Sequence, residues 1–239
     1  MMQGVFPMDD LVGLLREKGA TVVGFADLAD VPEELTQGLP RAVSMGVALT
    51  PTIVAGIMEG PTDEYWGEYG RLNALLLDIA RAGAELLVAG RWRAHSCQTT
   101  GDTNLETLTA PFPHKTAARL AGLGWIGKCA LLVNPEYGSA VRWNTILTDA
   151  PLPTSAAPLD SRCGACSICV DVCPGHAASG RIWEAGMGRE DFWDAQACLA
   201  GTQKITAARQ TISRVCGLCL AVCPHTVAYL KRDGVLAEG

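Results

Sequence analysis

Of the ten cysteines in this 239-residue chain, eight lie after residue 160. Cys163, Cys166, Cys169 and Cys173 follow the spacing C-x2-C-x2-C-x3-C and lead into Pro174; Cys216, Cys219 and Cys223 follow C-x2-C-x3-C and lead into Pro224. Gaps of two and three residues let the thiolates of one tight loop converge on one inorganic core. The last cysteine of each run opens the next helix, faces away, and can ligate only the other cluster. A proline behind it suits a first helical turn, where the missing N–H costs nothing. The spacing therefore predicts two four-iron, four-sulfur (4Fe–4S) clusters with exchanged fourth ligands. Cluster 1 takes Cys163, Cys166, Cys169 and Cys223, and cluster 2 takes Cys173, Cys216, Cys219 and one more cysteine. A regular second motif would place that ligand three residues before Cys216, where Ser213 stands. Cys198 is assigned there by elimination, with Cys97 and Cys129 as the other thiols that could serve. A zinc site needs only four ligands in paired C-x2-C units and would leave half of these thiols idle. Two clusters in one small domain make an electron path rather than a Lewis-acid site.

Composition sets the surroundings of this chemistry. Nearly half the residues are hydrophobic (49%) and 18% are charged, enough for a packed core and too little charge for a disordered chain. Lys and Arg total 19 against 25 Asp and Glu, a net charge of −6, which counts against a general nucleic-acid binder. The N-terminal MMQGVFPMDD has no basic n-region and no apolar h-region. No run approaches the roughly 18 consecutive apolar residues of a membrane span. These features lead us to expect a cytoplasmic protein, away from membranes, in which cysteines serve metal or redox chemistry rather than disulfides.

The elements that must position the cysteines are legible in outline. Asp149 to Asp160 reads DAPLPTSAAPLD, with three prolines and no apolar periodicity. It marks a connector between a domain over about residues 1–150 and a cysteine-rich domain over 151–239. In the first, Asp9 or Asp10 caps a helix with Leu11, Leu14 and Leu15 on its apolar face, stopped by Gly19. Thr21 to Phe25 and Ala42 to Leu49 read as strands. Tyr65, Tyr69, Leu72, Leu76 and Ile79 recur at helical spacing before Gly83, as a core-packing stripe, and AELLVA (Ala84 to Ala89) reads as a third strand. His114 to Ala121 reads as a short helix closed by Gly122. Cys129 to Val133 and Val141 to Leu147, joined by the turn NPEYG, read as a strand pair. The predicted class is α+β, a mixed α/β domain followed by a bacterial-ferredoxin-like domain with two clusters.

The run APFPHKTAARLAGLGWIGKCALLVNPEYGS (Ala110 to Ser139), followed by CGACSICVDVCP and CGLCLAVCP, resembles epoxyqueuosine reductases, relatives of the reductive dehalogenases. The resemblance is close over about residues 108 to 225 and looser, in the same order of elements, from 9 to 107. It implies a nitroreductase-like core in the first domain, a cobalamin cofactor there, and clusters that pass electrons to it singly. AGLGWIGK (Ala121 to Lys128) is its most specific element outside the cysteines. Gly122, Gly124 and Gly127 would let backbone approach a flat corrinoid, with Trp125 and Lys128 in contact. The same glycines also suit a helix C-cap and a structural turn, with Trp125 and Lys128 covering the core.

Two departures stand out. The family's catalytic aspartate, two residues before the Ala-Pro, falls on Leu108, which donates no proton. The glutamate after the Ala-Pro falls on His114, either a substitute acid or a surface or capping histidine. The sequence given also ends about fifteen residues after Pro224, without the helical-repeat segment that helps many queuosine enzymes hold tRNA. Three functions follow. One is an iron–sulfur oxidoreductase, with or without a corrinoid, acting on a small molecule or another cofactor. Another is an electron-transfer partner that passes electrons to another protein, such as a corrinoid enzyme. The third is epoxyqueuosine reduction. The acidic balance and Leu108 favour the first two, with a redox protein as partner and no nucleic acid. Cys129, opening an apolar run, reads as a small core residue. Cys97, near His95 in RAHSCQTTGD, reads as a loop thiol, a Cys–His nucleophile or the edge of a cofactor pocket.

Overall fold

The computed structural model describes residues 8–99, 104, 106–154 and 157–237. By the density of its contacts the chain divides into two units, and the division is interleaved along the sequence. One unit takes the described residues up to Val47, those within Leu72–Leu123, and those within Arg142–Pro158; the other takes Ala48–Arg71, Gly124–Val141 and the described residues from Leu159 on. The sequence reading places its boundary near residue 150; segments 48–71 and 124–141 group with the cysteines.

The first unit is built on a four-stranded sheet in the order β1-β2-β6-β3, with β1 at Val22–Asp27, β2 at Arg41–Ala48, β3 at Ala94–Ser96 and β6 at Val141–Thr148. β1 runs antiparallel to β2, Val22 opposite Gly46 and Asp27 opposite Arg41. β3 runs antiparallel to β6, Ala94 opposite Thr148. Helix α1 (Met8–Glu17) carries Asp9 and Asp10 in its first turn and buries Leu11 and Leu15, as its spacing predicts. α2 (Glu33–Thr36) is one turn.

The expected third strand at Ala84 to Ala89 is helical: α4 runs unbroken from Asp63 to Ala89, α3 (Pro51–Gly56) preceding it. Gly83 reads as a stop signal in sequence, yet sits inside α4 for a packing reason. A Cβ there would come within 2.6 Å of Ile146 Cδ1 and 2.9 Å of Leu15 Cδ2. Only glycine lets α1, α4 and β6 close on one another at that level, and the apolar run behind it (Leu87 is fully buried) stays on the helix.

In the second unit β4 (Trp125–Ile126) pairs antiparallel with β5 (Leu132–Val133), Trp125 opposite Val133. This corrects the expected pairing, because β6 belongs to the large sheet and the stretch 129–133 pairs back onto the AGLGWIGK segment. The turn between Asn134 and Gly138 forms as read, closed by hydrogen bonds in both directions. The cysteine region holds short helices: α6 (Ile168–Asp171), α7 (Ala195–Ala208), α8 (Leu218–Ala221) and α9 (Pro224–Arg232). α5 (His114–Leu120) belongs to the first unit. Among the described residues, no helix is long and apolar enough to cross a membrane.

Candidate metal centre

The second cysteine run ends on a helix start, whereas the first leads into a turn at Pro174 and Gly175 and not into the expected helix. Cys173 precedes Pro174, and Cys223 is the residue before α9, whose first position is Pro224. The two runs cross. Cys173, from the first run, and Cys216, from the second, both lie close enough to Cys198 for their charges to act on its thiol. Cys173 acts on Cys216 as well. In the other direction, Cys163 of the first run lies beside Cys223 of the second. Cys169 and Cys219 meet through a thiol outside both motifs, Cys129, which is hydrogen-bonded to each. Among the described residues, no three His, Cys, Asp or Glu side chains close around a single point where one ion would sit.

Cys198 reaches this neighbourhood through glycine packing. α7 is capped by Asp194, whose carboxylate accepts from Ala197 N at 2.9 Å. A Cβ on Gly175, two residues after Cys173, would come within 2.1 Å of Ala197 O; one on Gly201 would come within 2.4 Å of Gly175 N. Backbone therefore lies directly on backbone, and the loop after Cys173 is pressed onto the face of α7 that carries Cys198. This contact had left only the bare letters PG and AG in the sequence.

Donors converge on the thiols as well. Ala177 N donates to Cys173 Sγ at 3.3 Å. The backbone N–H groups of His225 and Thr226 and the hydroxyl of Ser139 reach Cys223, and the backbone N–H of Leu218 reaches Cys216. Ser139 is held by Thr226, since its N–H donates to Thr226 Oγ1 at 3.1 Å. Gly138, at φ 60°, has no room for a Cβ against Thr226 N. Neither Ser139 nor Thr226 stood out in the sequence; the only trace was a Gly-Ser pair after a turn. Burial, followed by the nearby thiols, pushes Cys198 up to about 11. Burial likewise raises Cys216 and Cys223, against the backbone donors that lower them. Cys169 is raised by its hydrogen bond to Cys129 and then by burial. Thiols held protonated in this way need a bound cation to become ligands, so metal uptake releases protons.

The AGLGWIGK residues are all engaged with protein atoms. Gly122, at φ 70°, ends α5 in a Schellman motif, with Leu123 N on Ala118 O and Gly122 N on Arg119 O. A Cβ on Gly124 would meet Val133 O at 2.3 Å, and one on Gly127 would meet Val133 Cγ2 at 2.8 Å. Trp125 is buried, edge-on to His225 at 4.9 Å, with the Arg162 guanidinium 5.6 Å over its ring. It thereby ties the residue before Cys163 to the second residue after Cys223. Lys128 is buried and donates to Gly164 O at 2.8 Å and Cys166 O at 3.0 Å, pinning the first cysteine loop. Capping and packing account for the contacts of Gly122, Gly124, Gly127 and Lys128, while the buried indole N–H of Trp125 has no hydrogen-bond partner among the described residues.

The remaining candidates also change character. His114 is 5% exposed, with Nε2 donating to Gln98 O at 2.9 Å and Nδ1 accepting from Thr145 Oγ1 at 3.0 Å. A carbonyl can only accept, so Nε2 carries the proton. Burial pushes His114 down to about 4, leaving it neutral with both nitrogens occupied. It is a buried tie between α5, β6 and the 98 loop, neither the substitute acid nor a surface residue. Leu108 adopts φ 54° in a loop closed by the Asn104–Thr109 bridge. Cys97 is packed among Leu28, Phe112 and Leu147, and burial pushes it up to about 12. It is therefore core rather than a nucleophile paired with exposed His95. His95 instead borders a cavity of about 500 Å3 with Arg81, Glu85 and Val88, lined by no cysteine.

No protein-family model matches the chain. Epoxyqueuosine reductases are similar in sequence: that of Synechococcus sp. (strain CC9605) is 36% identical over 146 residues, 56% of this chain and 42% of that protein. That of Pseudomonas aeruginosa is 33% identical over 147 residues, 60% of this chain and 39% of that protein. That of Escherichia coli (strain K12) is 41% identical over 148 residues, 60% of this chain and 37% of that protein. The chain thus spans about two fifths of the length of the curated relatives it matches. Among solved structures, an epoxyqueuosine reductase with a tRNA-Tyr stem loop superposes with a TM-score of 0.62 at 18% identity, over 93% of this chain and 66% of that one. The catabolic reductive dehalogenase NpRdhA superposes with a TM-score of 0.70 at 20% identity, over 94% of this chain and 33% of that one. The chain is a mixed α/β protein similar in sequence to epoxyqueuosine reductases, with a fold that those enzymes share with reductive dehalogenases.

Proposed function

We propose that this chain is an iron–sulfur oxidoreductase that carries electrons through two 4Fe–4S clusters in a ferredoxin-like region and reduces a small molecule or another protein's cofactor. Cys163, Cys166, Cys169 and Cys223 would hold cluster 1, and Cys173, Cys198, Cys216 and Cys219 cluster 2. The observation that carries the reading is the crossing of the two motifs: Cys173 stands with Cys198 and Cys216, and Cys223 with Cys163. Ligand exchange between two such runs demands that pattern. Bound clusters would accept and pass single electrons. The chain itself supplies the thiols, the N–H donors on Cys173, Cys216 and Cys223, and the Lys128 and Trp125 contacts that fix the first loop. Donors on thiolates favour the more negative, reduced state and so raise the potential.

A second reading, an electron-transfer partner without its own substrate, is favoured by one observation. Gly122, Gly124, Gly127 and Lys128 are engaged in caps, close packing and the first cysteine loop, which leaves the Trp125 indole N–H as the one unpartnered buried donor of these five. Leu108 at the acid position and the net charge of −6 argue against tRNA in both readings, while an epoxyqueuosine reductase of this fold has been solved with a tRNA stem loop.

Anaerobic reconstitution tests the centre. About eight iron and eight sulfide per chain are expected from two four-iron cores; four iron, or stoichiometric zinc, would overturn it. Cys198→Ser should remove one cluster's iron and spare the other's, and unchanged iron would exclude Cys198 as a ligand. Gel filtration with hydroxocobalamin separates the two functional readings. Co-elution with a base-off spectrum supports a corrinoid reductase, and clean separation supports the carrier. Filter binding to tRNA at low salt should show no retention, and tight retention would restore the tRNA substrate.

A further inference from the structure

Trp125 is 1% exposed, and its indole N–H is buried with no hydrogen-bond partner among the described residues. An indole nitrogen only donates, and a buried donor left without an acceptor is costly. Other polar aromatics of this unit find protein acceptors: Tyr229 donates its hydroxyl to Leu49 O at 2.9 Å, and Trp183 donates Nε1 to Met187 O at 3.2 Å. The Trp125 ring is held in place. Its strand pairs with β5 at Val133, and Gly124, with no room for a Cβ against Val133 O, brings the two strands close. His225 meets the ring edge-on at 4.9 Å, and the Arg162 guanidinium lies 5.6 Å over it. Both come from segments assigned above to cluster 1, since Arg162 precedes Cys163 and His225 is the second residue after Cys223. Lys128 reaches the same first loop through Gly164 O and Cys166 O. A guanidinium has no acceptor atom, and neither ring nitrogen of His225 bonds the indole.

We infer that the Trp125 indole N–H is a hydrogen-bond donor reserved for a sulfur of cluster 1. The inference rests on the two-cluster reading and deepens it. A donor at a cluster sulfur stabilises the reduced, more negative state and so raises the potential. Trp125 neither ligates iron nor titrates; it contributes one fixed dipole. Because both residues that hold its ring flank ligands of cluster 1, its effect falls on one cluster and sets the two potentials apart.

The test compares wild type, W125F and a chain with benzothienylalanine at position 125, in which sulfur replaces the indole N–H at nearly unchanged ring size. All are reconstituted anaerobically, and iron and sulfide are counted before redox titration followed by electron paramagnetic resonance. The expected result is full iron, a lower midpoint potential for one cluster in both substituted proteins, and an unmoved potential for the other. Full iron with both potentials unmoved, or with both shifted alike, overturns the donor role. Labelling the indole with the heavy nitrogen isotope gives a second readout. Electron–nuclear double resonance on reduced wild type should show a nitrogen coupling in one cluster's signal that W125F lacks; its absence from wild type overturns the inference, even where the substituted chains lose iron. Wild type without about eight iron refutes the cluster reading itself, an outcome distinct from these.

Discussion

In the sheet unit, Leu72, Leu76, Ile79 and Leu87 of one helix are completely withdrawn from water, along with Leu11, Leu15 and Ile146 around them. In the cysteine unit, α6 spans four residues and buries none of them, and α8 spans four and buries three. Burial of one large aliphatic side chain is worth about 1.5–3 kcal/mol, so the sheet unit holds a core of its own making. A one-turn helix is unstable alone, because nucleation fixes several residues for one hydrogen bond. The cysteine loops themselves are held by glycine-to-backbone contacts and the Lys128 anchor, while the apolar core of their unit, with Val54, Ile57, Leu132 and Leu230, lies in other segments.

Metal removal should expose this contrast most strongly. Binding free energy at such a site is largely folding free energy. Stripping iron from the full chain with a chelator should therefore open the cysteine loops to protease while the sheet segments resist; equal cleavage of both would dissolve the distinction. Leu76→Ala should act in the opposite sense, lowering the stability of the sheet unit by about 2–5 kcal/mol in urea unfolding. Iron content should stay unchanged.

His114 gives the sheet unit a pH dependence. Its native value of about 4 lies below the ordinary 6.5, so the unfolded chain binds a proton that the native one refuses. Stability is fully present above about pH 6.5 and falls as pH drops toward 4, by about 3 kcal/mol in all. Urea unfolding at pH 7, 5.5 and 4.5 should show the loss, and His114→Gln should flatten it. A smaller effect is expected in the cysteine unit from Gly201→Ala, whose added Cβ must displace the backbone of Gly175. Overpacking of this kind costs about 1–3 kcal/mol. The signature would be selective loss of iron from the Cys198 side; full iron retention would mean that the close approach does not position Cys198.

The legibility of the two units differs for the same reason. The thiol motifs are local in sequence, since spacings of two and three residues carry their geometry with them, and the exchange of Cys173 and Cys223 proposed above comes from the letters alone. Cys198 enters it only by elimination, because its neighbours lie far along the chain. In the sheet unit, α1, β1, β2, α5 and the long strand β6 followed from periodicity and caps. The strand assigned to Ala84 to Ala89 failed because a glycine inside a helix looks like its end until the neighbour that requires it is in view. His114 and Cys97 misled for a related reason. Their residue types advertise chemistry, while burial at 5% and 4% exposure decides that they pack.

By itself the sequence determined the motif on which the proposed chemistry rests: cysteine number, spacing and trailing prolines are the pattern of a thiolate metal centre, because ligand geometry over three residues is a local property. It also determined the resemblance to epoxyqueuosine reductases, carried by AGLGWIGK and the two cysteine runs. Only the tertiary structure decided which atoms the glycine-rich motif packs against, and that Cys198 and Cys129, outside both runs, come near their thiols. Those outcomes depend on close approaches between segments tens of residues apart, where a single Cβ would change the packing.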